Sequence, residues 1–298
     1  MKIKNKTFYK SLNFNKLIVI DAIPDDEQQT ALHLVNYLHD NQIRSGVDHI
    51  KTGSADEFRE IIFKLIDSFN LDMGFRPVIH IEAHGSATSL EFPDKTTIMW
   101  TEIAESLRFI NEKMNNTLIT FIATCHAVHY LFSNNTIQKF APAYLCIAPK
   151  GIITPHDIEK ATFPFYLTLF KSGNSNLACK QLNLNEIYYY DSDFIFHITF
   201  LQMINISHRG KGYSARKEAL ISDTVSSIPE IWGKMDQRRR PEFLRKCRKF
   251  IHEKLKKKES IKYYFDHYSN NFLGYAREDV FEEIYIDFTS GSQKPQGF

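Results

Sequence analysis

The chain has 298 residues, 43% of them apolar and 24% charged, enough to bury a sizeable core and ordinary for a folded globular protein. Its formal net charge is only +2, which excludes a global electrostatic case for nucleic acid. Four widely spaced cysteines (Cys125, Cys146, Cys179, Cys247) with no C-x-x-C pair exclude a disulfide framework and a zinc ribbon.

The elements are taken in chain order. Residues 1–15 are polar and read as a loosely held lead-in, with a basic start but no long apolar stretch behind it, so no signal peptide is expected. Leu17–Asp21 is a short apolar strand ended by Pro24 and two aspartates. Residues 25–40 read as a helix with Ala31, Leu32, Leu34, Val35 and Leu38 on its apolar face. Val47–Ile50 is a second short strand, and Ser54 caps a helix running to about Phe69. Val78–Glu82 is a strand that runs into Ala83-His84-Gly85, and a loop or small hairpin containing Phe92 and Pro93 follows. Residues 98–114 read as a helix ended by Asn115-Asn116, and 118–123 as a strand running into Thr124-Cys125. A helix is expected to start directly after Cys125 and run towards Phe132.

Tyr144–Ala148 is the next strand, stopped by Pro149 and Gly151. Residues 156–171 read as an aromatic-rich helix with Pro164 at a kink, Gly173-Asn174 as a turn and 175–184 as a further helix. Strand and helix alternate through 17–184, which predicts an α/β fold with a mainly parallel sheet. Beyond about 190 the period changes. Residues 193–206 are strongly apolar and ambiguous, 207–216 read as a loop, and 241–258 as an amphipathic basic helix. The expected division is 1–190 for the α/β domain and 191–298 for an appended, mostly helical region, with 291–298 a disordered tail. Residues 234–262 hold thirteen Lys/Arg against four Asp/Glu, leaving 24 against 31 elsewhere, so a basic segment sits on an acidic body.

Two strand ends carry the candidate chemistry. In an open parallel sheet, ligands collect beyond the carboxyl ends of the strands. His84 and Cys125 both follow such ends, so the topology predicts that they meet on one edge. A cysteine attacks as its thiolate, whose formation a neighbouring histidine and a helix N-terminus both favour. His84 would take the thiol proton and later protonate a leaving amine. Gly85 permits close backbone approach, and the amides of Gly85 and Cys125 are the natural oxyanion donors. Against this stands the plain reading of a small core cysteine and a His-Gly turn.

The segments HIEAHGS at 80–86 and ITFIATCHA at 119–127 resemble the caspase-like cysteine peptidases, in particular the CHAT branch related to separases. The segment 154–183 is similar to the part of that branch in which an Asp precedes a Phe-Tyr helix, a Gly turn and an Ala-containing helix; here these are Asp157, Phe165-Tyr166, Gly173 and Ala178. Two departures stand out: Pro149-Lys150-Gly151 replaces a frequent Trp, and His126 follows the cysteine. The resemblance covers roughly 17–184. It implies a caspase-like sandwich, Cys125 as nucleophile, His84 as general base and acid, and a specificity pocket just after 144–148. It further implies Asp157 as a contact for a basic substrate side chain, where the plain alternative is a helix N-terminal carboxylate.

The implied activity is a cysteine endopeptidase cutting a protein or peptide substrate in a reducing cytoplasm, with an activating protein partner, in a bacterial defence or cell-death setting. No cofactor, membrane span or nucleic-acid partner is expected. A metal site from His84, Cys125, His126 and His129 is disfavoured, because His126 would have to fold back on its neighbour. His80 is expected to be buried and hydrogen-bonded, and Glu82 either to orient His84 through a water or to form a structural ion pair. The rival functions are an inactive scaffold of the same fold and a nucleotide or nucleic-acid binder using the basic helix; the latter lacks a Gly-rich phosphate loop.

Overall fold

The computed structural model describes residues 14–44, 46–72, 74–132, 137–182, 187–208, 210–255 and 257–290. The expected tail at 291–298, and nearly all of the lead-in, lie outside these residues. The chain divides between Ile195 and Phe196 into two compact units.

The first unit is an α/β domain. In chain order it contains β1 (Lys16–Asp21), α1 (Thr30–Asp40), β2 (Val47–Lys51), α2 (Ala55–Leu71), β3 (Pro77–Glu82), β4 (His84–Gly85), β5 (Ser89–Glu91), β6 (Thr97–Met99), α3 (Trp100–Lys113) and β7 (Ile119–Ala123). There follow α4 (His129–Phe132), β8 (Leu145–Pro149), α5 (Pro155–Ser172), α6 (Ser175–Cys179) and β9 (Ile187–Asp191). The main sheet has the order β2-β1-β3-β7-β8-β9. All its pairs are parallel except the edge pair β8–β9. A second, three-stranded antiparallel sheet, β4-β5-β6, follows β3 directly.

The central strands are apolar without alternation because both faces are covered. Successive residues split between two cores. Leu17, Val19, Val78, Ile119, Phe121, Leu145 and Ile147 pack with residues of α1, α5 and α6. Ile18, Ile20, Ile79, Ile81, Ile122, Cys146 and Ala148 pack with residues of α2 and α3. The expected mainly parallel sheet between helices is therefore present.

Several boundaries differ from the sequence reading. Helix α1 begins at Thr30, so 25–29 form a turn and loop in place of the first turns of the expected helix. Helix α6 ends at Cys179. Pro164 lies inside an α5 that continues to Ser172, where Gly173, with φ of 63°, ends it. Tyr188-Tyr189-Tyr190 form the antiparallel edge strand.

The second unit is helical. Helix α7 (Ser192–His208) crosses the division, and α8 (Gly210–Ser226), α9 (Pro229–Lys234), α10 (Arg240–Leu255), α11 (Lys258–Leu273) and α12 (Glu278–Thr289) follow. The ambiguous 193–206 is helix, and so are the described residues of 207–216. Glycines and charges there read as a loop, but Gly212 serves packing. A Cβ at that position would lie 2.0 Å from the Ile206 carbonyl oxygen, so only glycine allows α7 and α8 to approach this closely. The core holds stacked and edge-on rings, with Phe196 5.5 Å and Phe200 5.6 Å from Phe265. The basic helix α10 buries Ile251 and Leu255 against Ile221. It pairs Lys246 with Glu242 and Arg248 with Glu218, the pattern of an amphipathic helix with a solvated charged face. No helix among the described residues is long and apolar enough to cross a membrane.

One acid-sensitive group lies in this unit. Burial, together with the Arg216 charge and against the opposing Ile204 carbonyl, lowers the His208 pKa from 6.5 to about 4. Between these two values the unfolded chain holds more protons than the folded one, so stability falls as pH drops from 6.5 to 4. Full conversion would give roughly 3 kcal/mol; solvent screening of this partly exposed ring reduces the expected loss to about 1–2 kcal/mol. Urea unfolding at pH 7 and pH 4.5, followed at Trp232, should show a smaller acid loss in His208→Gln than in the native chain.

Candidate functional site

The carboxyl edge of the main sheet gathers four polar strand ends. Asp21 ends β1 and is fully buried. Burial pushes its carboxyl up, but hydrogen bonds from His49 and the Ile23 amide and the Lys51 charge outweigh this and hold it below its usual value. Glu82 ends β3, also fully buried; one oxygen lies 2.7 Å from His80 Nε2 and the other accepts from the Thr30 hydroxyl. His80 Nδ1 is in turn 3.1 Å from the Tyr166 hydroxyl. His80 is thus the buried, bonded residue that the sequence suggested, and Glu82 is its side-chain partner.

The other two ends are those of His84 and Cys125. His84 opens β4 after the single residue Ala83 and pairs across from Glu91. Ser86 N donates to the Ser89 carbonyl at 2.9 Å, and antiparallel pairs alternate between bonded and non-bonded. The Gly85–Leu90 pair is then the non-bonded one, which turns the Gly85 amide away from β5. Gly85 lies directly against the cysteine turn. A Cβ built there would fall 2.2 Å from Thr124 Oγ1 and 2.3 Å from the Cys125 carbonyl oxygen. The structure therefore brings the His84-Gly85 and Thr124-Cys125 segments into contact, although they are far apart in sequence.

Cys125 is partly exposed. The expected helix does not begin at it. Residues 124–128 form turns, with Ala127 N donating to the Thr124 carbonyl at 3.3 Å, and α4 is a single turn starting at His129. His126 takes a left-handed conformation, φ 59°, which breaks the helical path immediately after the cysteine. The helix expected to start directly at the cysteine is accordingly absent. A backbone amide takes its place: Ile153 N lies 3.5 Å from Sγ, close enough to donate a weak hydrogen bond to sulfur. Sγ also lies 3.8 Å from the Ile153 carbonyl oxygen, to which the thiol can donate, so Ile153 holds the sulfur through both backbone groups. The loop after β8 holds this turn at two more points, with His126 N donating to the Gly151 carbonyl at 2.9 Å and Val128 N to Pro149 at 3.0 Å.

The His84 ring is engaged by a residue that sequence reading passed over. Its Nε2 lies 2.9 Å from Glu27 Oε1. Glu27 stands in the loop between β1 and α1, where Gln29 Nε2 donates to the carbonyls of Pro24 and Glu27 at 2.6 and 3.0 Å. The nearest signal in the sequence was the acidic run Asp25-Asp26-Glu27 beside a strand end. Nothing local distinguishes Glu27 from its neighbours.

Asp157 sits in the first turn of α5, after the loop that holds the cysteine turn. Its amide donates to Thr154 Oγ1, the helix N-cap, at 3.2 Å, and its carboxylate accepts from that hydroxyl at 2.7 Å, so it takes part in a local capping pair. His126 and His129 stand 6.2 Å apart, ring centre to ring centre. Among the described residues no cluster of three or more His, Cys, Asp or Glu is arranged to hold a metal ion.

Two of the other three cysteines are poorer nucleophiles. Burial pushes Cys146 and Cys179 each up to about 12. Cys247 packs beside the Ile221, Ile251 and Leu255 cluster. The helical unit also holds a cleft of about 540 Å³ lined by Leu220, Ile251, Leu255, Tyr263 and Tyr264. Lys254, Lys257 and Glu259 at its rim offer no nucleophile with an adjoining base. Chemistry, not volume, makes the sheet edge the candidate site. No protein-family model matches the chain, and no curated protein does.

Proposed function

We propose that this chain is a cysteine endopeptidase of the caspase-like, CHAT-related type, with Cys125 as nucleophile and His84 as general base and acid. The observation that carries the reading is the contact of Gly85 with Thr124 and Cys125, which puts the residue next to His84 against the residue that bears the thiol. In the proposed reaction His84 takes the thiol proton and Sγ attacks the scissile carbonyl. The Gly85 and Cys125 amides receive the oxyanion. The tetrahedral adduct collapses to a thioester as His84 hands its proton to the leaving amine. Water, deprotonated by His84, then releases the acid and restores the thiol.

The substrate in this reading is a partner protein entering beside the 149–153 loop, with Asp157 a proposed contact for a basic side chain. An activating protein partner belongs to the same reading and rests on the resemblance in sequence. A role in bacterial defence or cell death, in the cytoplasm, rests on the resemblance in sequence alone.

The test is covalent. Peptidyl acyloxymethyl ketones with basic, acidic or apolar residues before the reactive group are incubated with the chain, and labelled cysteines are located by peptide mass spectrometry. Labelling should fall on Cys125, vanish in Cys125→Ala, and slow by about 10²–10⁴-fold in His84→Ala. Equal labelling of Cys125 with and without His84, or labelling confined to Cys247, would leave the inactive scaffold as the better account.

A further inference from the structure

We infer that Glu27 is the positioning residue of His84, a third member that aims the imidazole at Cys125; the inference rests on the peptidase reading of the preceding section. Three carboxylates stand at this edge of the sheet, and two are committed elsewhere. Asp21 takes the Ile23 amide, His49 and Lys51. Glu82 takes His80 and Thr30. Glu27 gives an oxygen to His84 Nε2 at 2.9 Å.

That bond has two consequences. An Nε2–H donating to a carboxylate fixes the neutral tautomer, leaving Nδ1 unprotonated and available for the thiol proton. Once Nδ1 has taken it, the carboxylate stays hydrogen-bonded to the ring and keeps its orientation. The loop is suited to holding this geometry. Glu27 N donates to the Pro24 carbonyl at 3.1 Å, and Gln29, which braces the turn, receives Lys51 Nζ at 2.7 Å. Asp25 is drawn off to Lys51 at 3.1 Å. Both side chains of the contact remain partly open to solvent, with His84 46% and Glu27 44% exposed, so the effect is one of aim more than of charge.

The experiment compares the native chain with Glu27→Gln, Glu27→Ala and His84→Ala. Two quantities are read: the His84 imidazole titration by NMR, and the pH profile of Cys125 alkylation by iodoacetamide, with sites resolved by mass spectrometry. Glu27→Gln keeps an acceptor and loses the charge. It should slow alkylation at pH 6 by about threefold. Glu27→Ala loses acceptor and charge, and should slow alkylation by about tenfold or more across the profile. The exposed loop position makes misfolding of these variants improbable, and circular dichroism checks it. An unchanged titration and profile in Glu27→Ala, while alkylation still depends on His84, overturns the role of Glu27 alone. Alkylation indifferent to His84 in the native chain overturns the peptidase reading and this inference with it.

Discussion

Gly85→Ala should destabilise the α/β unit by about 2–3 kcal/mol and abolish any dependence of Cys125 reactivity on His84. The added methyl carbon would lie 2.2 Å from Thr124 Oγ1 and 2.3 Å from the Cys125 carbonyl oxygen. A hydroxyl can rotate away, but a main-chain carbonyl at the end of β7 cannot. Either the turn at 124–125 or the start of β4 must therefore shift, and each carries one of the two reactive side chains. The backbone at Gly85 is not left-handed, so the requirement for glycine here is close approach alone. Gly151 supplies the control. A Cβ there meets nothing within 4 Å, and Gly151→Ala should change stability by no more than about 0.5 kcal/mol. Urea unfolding gives the stability difference, and alkylation in the presence and absence of His84 gives the functional one. Native-like stability in Gly85→Ala would mean that the two strand ends do not touch.

The largest expected loss of stability follows Glu82→Ala, about 3–5 kcal/mol. His80 and Glu82 are both fully buried, and their side chains meet at 2.7 Å. Removing the carboxylate leaves His80 Nε2 and the Thr30 hydroxyl without their acceptor in a site closed to water. Glu82→Gln retains one carbonyl oxygen for one of these two donors and should cost roughly half as much. The same network anchors the start of α1 through Thr30 and therefore steadies the loop that carries Glu27. Equilibrium unfolding in urea measures both variants; a loss below about 1 kcal/mol for Glu82→Ala would show that the pair contributes little beyond its packing.

These expectations depend on features of unequal legibility. The four central strands were readable because each is a short apolar run, and a run with no alternation means a strand covered on both faces. Their parallel order followed from the helical spacing between them, and His84 and Cys125 were readable as residues just past two of their ends. The plain burial of His80 could be read from its place inside a strand. Elsewhere local pattern misled. Residues 207–216 carry glycine and charge, which signal a loop, yet Gly212 lies in a helix because a neighbouring backbone needs its space. The run after Cys125 has helical composition, yet His126 turns left-handed and the helix is postponed to His129.

By itself, then, the sequence determined the α/β class, the mainly parallel character of the central sheet and the strand ends after which His84 and Cys125 stand. All of these follow from the periodicity of apolar residues, which is a local record of burial. Tertiary structure alone decided which carboxylate meets His84, which amide meets the sulfur, and that Gly85 rests on Cys125. Those contacts join loops whose residues face water along most of their length. Exposed positions carry no periodic constraint, so no pattern along the chain announces which of them will meet.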